Sequence, residues 1–236
     1  MTRFWVGVSG FSYSSWIGEF YPKGTTAGTM LSAYSTKLNS VEINSTFYHM
    51  PTQTTTRKWA DSTSEDFRFS FKANQKITHF MKLKNATAEV EVFLKGLSPV
   101  QAKLGCVLIQ LPPYLKADFN LLETFLTQKT AGSIRFAFEF RHSSWFGSEL
   151  NALLSTHDAA LCVADTEDMK PVFERTAKFA YARLRQDTYS KDELKNWSKR
   201  IRDFADGSED CFIYFKHDEI GKAANMAAVF ETMLRG

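Results

Sequence analysis

The sequence predicts one (β/α)8 barrel of the TIM type, and three observations support this fold class. The chain has 236 residues, which is close to the usual length of one such barrel. Eight short apolar runs, rich in aromatic and β-branched residues and bounded by turn residues, have the character of strands. Stretches with helical periodicity separate most of these runs, and strands that alternate with helices form parallel sheets. Eight such units close into a barrel.

The predicted elements follow one another along the whole chain. The predicted strands are residues 4–9, 41–47, 67–73, 106–111, 134–141, 159–165, 179–184 and 211–216. The predicted helices are residues 86–104, 120–126, 149–154, 191–204 and 223–234. One unit is irregular, because the chain between residues 165 and 179 is short and Pro171 interrupts it. We therefore predict a sixth helix that is short or missing.

A doubly wound open sheet is the alternative fold. It would need a glycine-rich phosphate loop after an early strand, and neither GxGxxG nor GxxxxGK[ST] occurs in the sequence. No linker, repeat or low-complexity segment divides the chain. We therefore predict a single domain over residues 1–236.

Composition limits the classes of ligand. The formal net charge is +3 and the pI is about 8.6. This excess is much weaker than the basic stripe of a dedicated nucleic-acid-binding protein, so nucleic acid is a disfavoured partner. It is compatible with a small anionic ligand.

The cysteines and the first residues indicate the compartment. Cys106, Cys162 and Cys211 lie in separate strand-like runs, and the sequence has no CxxC pair, so we expect buried, reduced thiols. The first residues have no signal-peptide character, and no apolar run approaches the ~18 residues of a membrane span. The expectation is a cytoplasmic protein without membrane association.

Polar residues cluster at the predicted carboxyl ends of the strands, where parallel barrels place their chemistry. In the fifth strand Glu139 and Arg141 alternate with phenylalanines, so the two polar side chains are predicted to face the barrel mouth. The predicted catalytic residues are Glu42, Lys72, Glu139 and Asp165. Predicted substrate-binding residues on or just after the strands are Asn44, His79, Gln110, Arg141, Arg183 and Lys216.

The charges at this end favour an anionic or polyhydroxylated ligand. Each charged residue alone is equally well explained by a salt bridge inside the barrel, but their convergence indicates a site. The three carboxylates face four bases, whereas a bare divalent cation would need carboxylates in excess. No HExxH motif or close histidine pair occurs.

Aromatic rings and one helix start complete the predicted site. Tyr13, Trp16 and Trp145 lie in loops after strands, where they would stack on a sugar or a base or simply cover the barrel. Residues 221–225 begin the last helix, where free backbone N–H groups often hold phosphate, so Asn225 is included. Asp218 and Glu219 nearby oppose an anion at this position.

Several motifs resemble those of the YecE-like family, also called domain of unknown function 72. They are VSGFSY with Trp16, FYP at residues 20–22, VEINSTFY at 41–48, FKAN at 71–74, Thr78-His79, QLPP at 110–113, EFRH at 139–142 with Trp145, and Asp165. The resemblance runs nearly end to end and implies a TIM-type barrel, but it supplies no reaction. The chain departs from the family pattern at Arg185, where histidine and glycine are usual, and at Lys216-His217, where paired asparagines are common.

Three functions remain open. The first is a metal-independent and cofactor-free enzyme in which Arg141, Arg183 and Lys72 bind an anion and Asn44 and Gln110 orient it. One carboxylate among Glu42, Glu139 and Asp165 then acts as general acid or base. The reaction would be a hydrolysis, an isomerisation or a lyase reaction.

The second hypothesis is a divalent-metal-dependent sugar isomerase or a phosphodiesterase that acts on nucleic acid. It would bind the metal through Glu42, Glu139, Asp165 and His79. The third is a non-catalytic module that binds nucleic acid or another ligand. Its basic residues, at helical spacing, would be Lys195, Lys199, Arg200 and Arg202.

Overall fold

Parallel strands form the barrel in a computed structural model, which describes residues 1–128, 134–166 and 169–235. The strands are β1 Arg3–Val8, β2 Ser40–Ile43, β3 Arg68–Lys72, β4 Leu104–Gln110, β5 Phe136–Glu139, β6 Ala160–Leu161, β7 Val163–Asp165, β8 Phe179–Leu184 and β9 Asp210–Phe215. One hydrogen-bonded sheet has the order β2-β3-β4-β5-β6, and the other has the order β1-β9-β8-β7. β6 and β7 are two parts of one strand position interrupted at Cys162, and they connect the sheets. The predicted TIM-type barrel is confirmed.

The helices lie between successive strands. They are α1 Met30–Ser35, α2 Ser45–Tyr48, α3 Gln53–Asp61, α4 Thr87–Leu97, α5 Phe119–Gln128, α6 Ser148–Thr156, α7 Lys191–Ala205 and α8 Lys222–Arg235. Residues 166 and 169–178 contain no helix, in keeping with the predicted short or missing sixth helix; residues 167 and 168 lie outside the described part. Within the described ranges, no helix has both the length and the apolar character required to cross a membrane. The prediction of a single domain stays a prediction.

Two apolar layers fill the molecule on either side of the strands. Phe136, Phe138 and Phe140 point outward and pack in the larger cluster between strands and helices. Ala137 points inward and packs in a smaller cluster inside the barrel with Tyr181 and other strand residues. The alternation predicted for the fifth strand is therefore observed. It directs Glu139 into the barrel, where the side chain is buried.

The second strand is shorter than predicted, and this changes the position of Asn44. β2 ends at Ile43, and Asn44 takes a helical conformation (φ −93°, ψ −17°) at the start of α2. The Thr46 hydroxyl donates to the carbonyl of Lys72 at 2.7 Å, which ties α2 to the end of β3. This tertiary contact outweighs the strand propensity of the β-branched and aromatic residues at 46–48. The predicted second strand, residues 41–47, was therefore too long, and Asn44 does not continue the strand face on which Glu42 lies.

Side chains bridge β1 and β2, the strands that bring the two sheets together. The Tyr34 hydroxyl accepts from the Val8 N–H and donates to the Ser40 carbonyl, both at 2.9 Å. Nearer the amino ends of the strands, Asn39 directly precedes β2 and bonds to β1. Its side chain accepts from the Val6 N–H at 2.7 Å and donates to the Phe4 carbonyl at 2.9 Å. These side chains supply the hydrogen bonds that a direct ladder would otherwise make.

The two strands also approach each other closely at this junction. A Cβ atom on Gly7 would lie 2.0 Å from the Ser40 carbonyl oxygen, so this β1 position requires glycine. Nearer the mouth, Gly10 N–H donates to the Glu42 carbonyl at 2.8 Å. The junction therefore places the end of β1 directly against the buried glutamate of β2.

Removal of the Tyr34 hydroxyl tests the role of this bridge. In Tyr34→Phe the N–H of Val8 and the carbonyl of Ser40 lose a buried partner, so we expect the free energy of unfolding to fall by about 1–3 kcal/mol. Urea unfolding measures the change. The exposed Tyr48 provides a matched control, since Tyr48→Phe should change stability by less than about 0.5 kcal/mol. Equal effects of the two substitutions would contradict the bridge.

A candidate active site at the carboxyl ends of the strands

A buried arginine joins two glutamates across the barrel. Arg183 on β8 has 1% of its surface exposed, and Glu42 on β2 and Glu139 on β5 are equally buried. The Arg183 Nη2 atom lies 2.8 Å from Glu42 Oε1, and its Nη1 atom lies 2.5 Å from Glu139 Oε2. We call these three residues the Arg183 clamp. It links strands of both sheets at their carboxyl ends.

Further hydrogen bonds hold both carboxylates of the clamp. Glu42 accepts from the Ser9 hydroxyl at 2.7 Å and from the Tyr181 hydroxyl at 2.8 Å. Glu139 accepts from Gln110 Nε2 at 2.6 Å. Gln110 is thus placed where sequence reasoning put it, but its amide donates to a glutamate of the protein.

Burial and pairing have opposite effects on the pKa values of the two glutamates. Burial alone raises the pKa of Glu42 and of Glu139. The Arg183 guanidinium and the hydrogen bonds to each carboxylate lower both pKa values, and the lowering prevails. Both groups are therefore ionised at neutral pH. Their geometry is suited to holding charge in place, and poorly suited to accepting a proton.

Lys72 lies beside the clamp but is not part of it. Its Nζ atom is 4.1 Å from the centre of the Phe47 ring, and within the described residues it forms no ion pair. Burial and the Arg183 charge lower the pKa of Lys72 to about 8, against the opposing effect of Glu139 and Glu42. The Arg185 charge contributes to the same lowering of the Lys72 pKa. Near neutral pH the amine therefore exists in both protonation states.

Three buried polar atoms near the mouth have no hydrogen-bond partner in the described part of the chain. They are Arg183 Nε, Arg185 Nη1 and Asn44 Oδ1. Buried donors and acceptors are almost always paired, so such a group indicates a position that a ligand or water completes. Two of the three atoms are guanidinium donors, which recognise anions.

Neutral histidines lie on two sides of the mouth. His79 packs edge-on against Phe47, with ring centres 4.9 Å apart, and burial, Lys72 and Arg141 lower its pKa. His217 stacks on Tyr13 with ring centres 5.1 Å apart, and burial lowers its pKa most, followed by Arg185. Because both pKa values are lowered, the two rings are largely uncharged at pH 7.

Tyr13 also borders a neighbouring cavity. Its hydroxyl donates to the Ser9 carbonyl at 3.0 Å, and burial together with the Glu42 charge raises its pKa to about 12. The cavity has a volume of about 510 Å³, and its lining includes Phe11, Asn44 and Trp59. A ligand at the mouth therefore has adjoining space between the first loop, α2 and α3.

Several predicted site residues serve other roles. The Asp165 carboxylate faces away from the clamp and accepts from the Tyr189 hydroxyl at 2.5 Å, so it holds the loop after β8. It is directed outward because Val163 and Asp165 share the outer face of β7. Lys216 pairs with Asp187 at 2.6 Å, on the surface of that same region.

The two tryptophans are part of the core and do not line the site. Trp16 is fully buried, and its Nε1 donates to the Asp218 carbonyl at 2.9 Å. Trp145 is 2% exposed, and its Nε1 donates to the Leu115 carbonyl at 2.9 Å. The sequence left two interpretations of these rings open, stacking on a ligand or covering the barrel. The structure supports covering the barrel, and the prediction of stacking was wrong for both tryptophans.

The expected phosphate position at α8 is already filled. The Asp218 carboxylate accepts from the N–H groups of Ile220 at 2.9 Å and Lys222 at 3.1 Å, and also from those of Gly221 and Ala223. A side-chain carboxylate thus holds the N–H groups that a phosphate would need, and Asn225 is exposed one turn further along the helix. The prediction that this segment binds phosphate was wrong.

The metal hypothesis and the nucleic-acid hypothesis each require a particular group of side chains, and the described structure does not support either group. Within residues 1–128, 134–166 and 169–235, no three His, Cys, Asp or Glu side chains are placed to share a metal ion. On α7, Arg200 packs on the rings of Phe173 and Trp197, and Arg202 donates to the Met233 carbonyl. These two arginine side chains therefore contact other parts of the protein itself.

Sequence reasoning missed four residues of the site, namely Ser9, Phe47, Arg185 and His217. Arg185 follows Arg183 by two positions, and this spacing placed both on the inner face of one strand. Arg185 stands where the family pattern usually has histidine and glycine, so the resemblance implies no role for it. Phe47 was assigned to a strand, and nothing in the sequence indicated that its ring would lie under Lys72.

The fold and the charged mouth define the class as an α/β-barrel protein of the TIM type. The chain belongs to the family described as "Protein of unknown function DUF72", which matches residues 5–236. It is 32% identical over 128 residues to the UPF0759 protein YecE of Escherichia coli, and this match covers 53% of the chain and 47% of YecE. It is 23% identical to the UPF0759 protein YunF of Bacillus subtilis, over 94% of the chain and 91% of YunF.

A solved structure has the same fold. A DUF72 family protein from Thermotoga maritima superposes with a TM-score of 0.87 at 26% sequence identity, covering 99% of this chain and 100% of that one. The structural similarity therefore extends over the whole barrel.

The Arg183 clamp makes a prediction about stability. Arg183→Met removes the charge that compensates both glutamates, so we expect the free energy of unfolding at pH 7 to fall by about 3–5 kcal/mol. In the wild-type protein the pKa values of Glu42 and Glu139 are lowered on folding. Their stabilising contribution is therefore present at neutral pH and is lost as the pH falls from about 4.3 through the lower folded values.

The variant should show the opposite dependence on pH. Without Arg183, burial raises both glutamate pKa values above their unfolded values, so stability should increase as the pH falls from 7 towards 5. Urea unfolding at several pH values measures the slope. Arg57→Met, at an exposed position, is the matched control. A variant with the wild-type slope would contradict the clamp.

Proposed function

We propose that the protein is an enzyme that acts on a small anionic substrate, with Lys72 taking up and returning a proton at the barrel mouth. The observation that carries the proposal is the Lys72 amine, which has a pKa of about 8 and no ion pair among the described residues. A general base works best when its pKa lies near the working pH.

The charges at the mouth support an anionic substrate. Two carboxylates, Glu42 and Glu139, face three cationic groups, Arg183, Arg185 and protonated Lys72. These groups carry an excess of positive charge, which an anion would neutralise. Both carboxylates are occupied by Arg183, so Arg185 and Lys72 remain available for the ligand.

Arg185 has the chemistry to bind the anionic group. Burial and the Arg183 charge lower the pKa of Arg185 from the usual arginine value. Arginine side chains in proteins nevertheless stay protonated at neutral pH. Its unpaired Nη1 atom is a donor in a planar fork that fits the two oxygens of a carboxylate or phosphate. The binding of such an oxygen would satisfy a donor that is otherwise buried without a partner.

The clamp and His79 would complete the catalytic arrangement. Glu42 and Glu139 fix Arg183. Burial lowers the Lys72 pKa most, and the fixed charge of Arg183 adds to this lowering. His79 contacts the same Phe47 ring as Lys72 and is largely neutral, so it has a nitrogen lone pair for proton transfer. This assignment moves the acid–base role from the glutamates, where sequence reasoning placed it, to Lys72.

Anion binding tests the proposal. Inorganic phosphate and oxalate should raise the Tm of the wild-type protein, and Arg185→Met should weaken their binding at least 10-fold, because a charge-assisted hydrogen bond is worth about 1.5–3 kcal/mol. Isothermal titration calorimetry measures the affinities, with Arg57→Met as the charge-matched control. Binding should also weaken as the pH rises through 8 and Lys72 loses its charge.

Two results would oppose the proposal. If Arg185→Met and Arg57→Met bind both anions equally, the mouth is not the anion site. If a substrate found by screening carboxylated and phosphorylated compounds is turned over equally by Lys72→Met, Lys72 is not the proton-transfer group.

A further inference from the structure

The backbone around Lys72 is held on both sides, which fixes the origin of its side chain. The Lys72 carbonyl accepts from the Thr46 hydroxyl at 2.7 Å, and the next residue, Ala73, donates its N–H to the Leu108 carbonyl at 2.9 Å. The Lys72 side chain then extends over the Phe47 ring at the end of β3 and is only partly buried. A rigidly based amine thus lies at the open end of the barrel.

A fully buried lysine elsewhere in the chain shows how unusual the environment of Lys72 is. Lys103 is 6% exposed, and its Nζ donates to the carbonyls of Ala60 and Thr63, both at 2.8 Å, and pairs with Glu65 at 3.5 Å. These oxygens stabilise the ammonium form. Lys72 contacts an aromatic ring and lies near two arginines, and none of the described carboxylates pairs with it.

We propose that Lys72 is a nucleophile that forms an imine with the carbonyl carbon of a small compound whose anionic group is bound by Arg185. This inference rests on the proposed function and names its substrate class, a carbonyl compound with a carboxylate or phosphate group. A lysine becomes nucleophilic when it is desolvated or lies beside other cations, because both effects free its lone pair. Lys72 meets both conditions through burial and through Arg183 and Arg185.

The protonation state of the amine supports the step. With a pKa of about 8, roughly a quarter of Lys72 is neutral at pH 7.5, against about 0.1% of an ordinary lysine. The lone pair attacks the carbonyl carbon, a C–N bond forms, and the oxygen gains a proton. The C–O bond then breaks and water leaves, so one amine and one carbonyl give one imine and one water without oxidation or reduction.

The surroundings favour the product as well as the attack. A protonated imine carries a positive charge, which the nearby Glu42 and Glu139 stabilise, since both raise the Lys72 pKa. The largely neutral His79, on the same Phe47 ring, supplies a group that moves the proton from nitrogen to oxygen. Arg185 holds the anionic end of the substrate.

Reductive trapping tests the proposal on the full chain. The protein is incubated at pH 7.5 with pyruvate or glyoxylate and sodium cyanoborohydride, and the modified lysines are mapped by peptide mass spectrometry. We expect Lys72 to be labelled about 10-fold faster than the exposed Lys116 and faster than Lys103. Oxalate should slow labelling of Lys72 by competing for Arg185. Arg185→Met should reduce the rate with pyruvate more than the rate with acetone, because acetone has no anionic group and responds only to the rise in the Lys72 pKa.

The outcomes separate the imine from the proposed function. If Lys72 is labelled no faster than Lys116, the imine is overturned, while anion binding that depends on Arg185 would leave the acid–base proposal standing. If pyruvate and acetone respond equally to Arg185→Met, the anionic anchor is overturned. Lys72→Arg keeps the positive charge without a primary amine, and it should lose the site-specific product while the other lysines react unchanged.

Discussion

The pairing of Arg183 with two buried glutamates is the constraint on which the rest of the site depends. Three charges that leave water are costly unless each has partners at hydrogen-bonding distance. The chain meets this cost with the guanidinium, two hydroxyls and one amide, all from strands or strand ends that meet at the same end of the barrel. Below this polar layer the interior is filled by aromatic and small side chains, so the charges lie on a rigid base.

The same pairing explains why Lys72, although it lies beside two glutamates, has no counter-ion among the residues that the structure describes. Arg183 occupies both carboxylates, and its fixed position keeps a positive charge near Lys72. Tyr181, Ser9 and Gln110 fill the remaining positions on the carboxylates, so Lys72 has little opportunity to form a bond there. A structural ion pair thus prepares a reactive amine. The junction between β1 and β2 supports this arrangement, because it places Ser9 against Glu42.

Much of the fold could be predicted from the sequence, and part of the site could not. The period of two in the fifth strand placed the phenylalanines outward and Glu139 inward, because alternation is a local property. Asp165 was expected to face the site and instead faces outward, because strand-end position alone does not say which face a side chain takes at an interrupted strand. The Thr46 contact that ends β2, and the position of Phe47 under Lys72, arise from tertiary contacts that no local pattern encodes.

Measurement of the Lys72 pKa most directly tests whether the barrel mouth destabilises the ammonium form of this lysine. NMR titration of protein with 13C-labelled lysine, with Lys72→Met used to identify the signal, measures it. We expect a midpoint at a pH of about 8. A midpoint near 10.4, the ordinary lysine value, would show that the ammonium form is stabilised at the mouth and would contradict the role given to the Arg183 clamp.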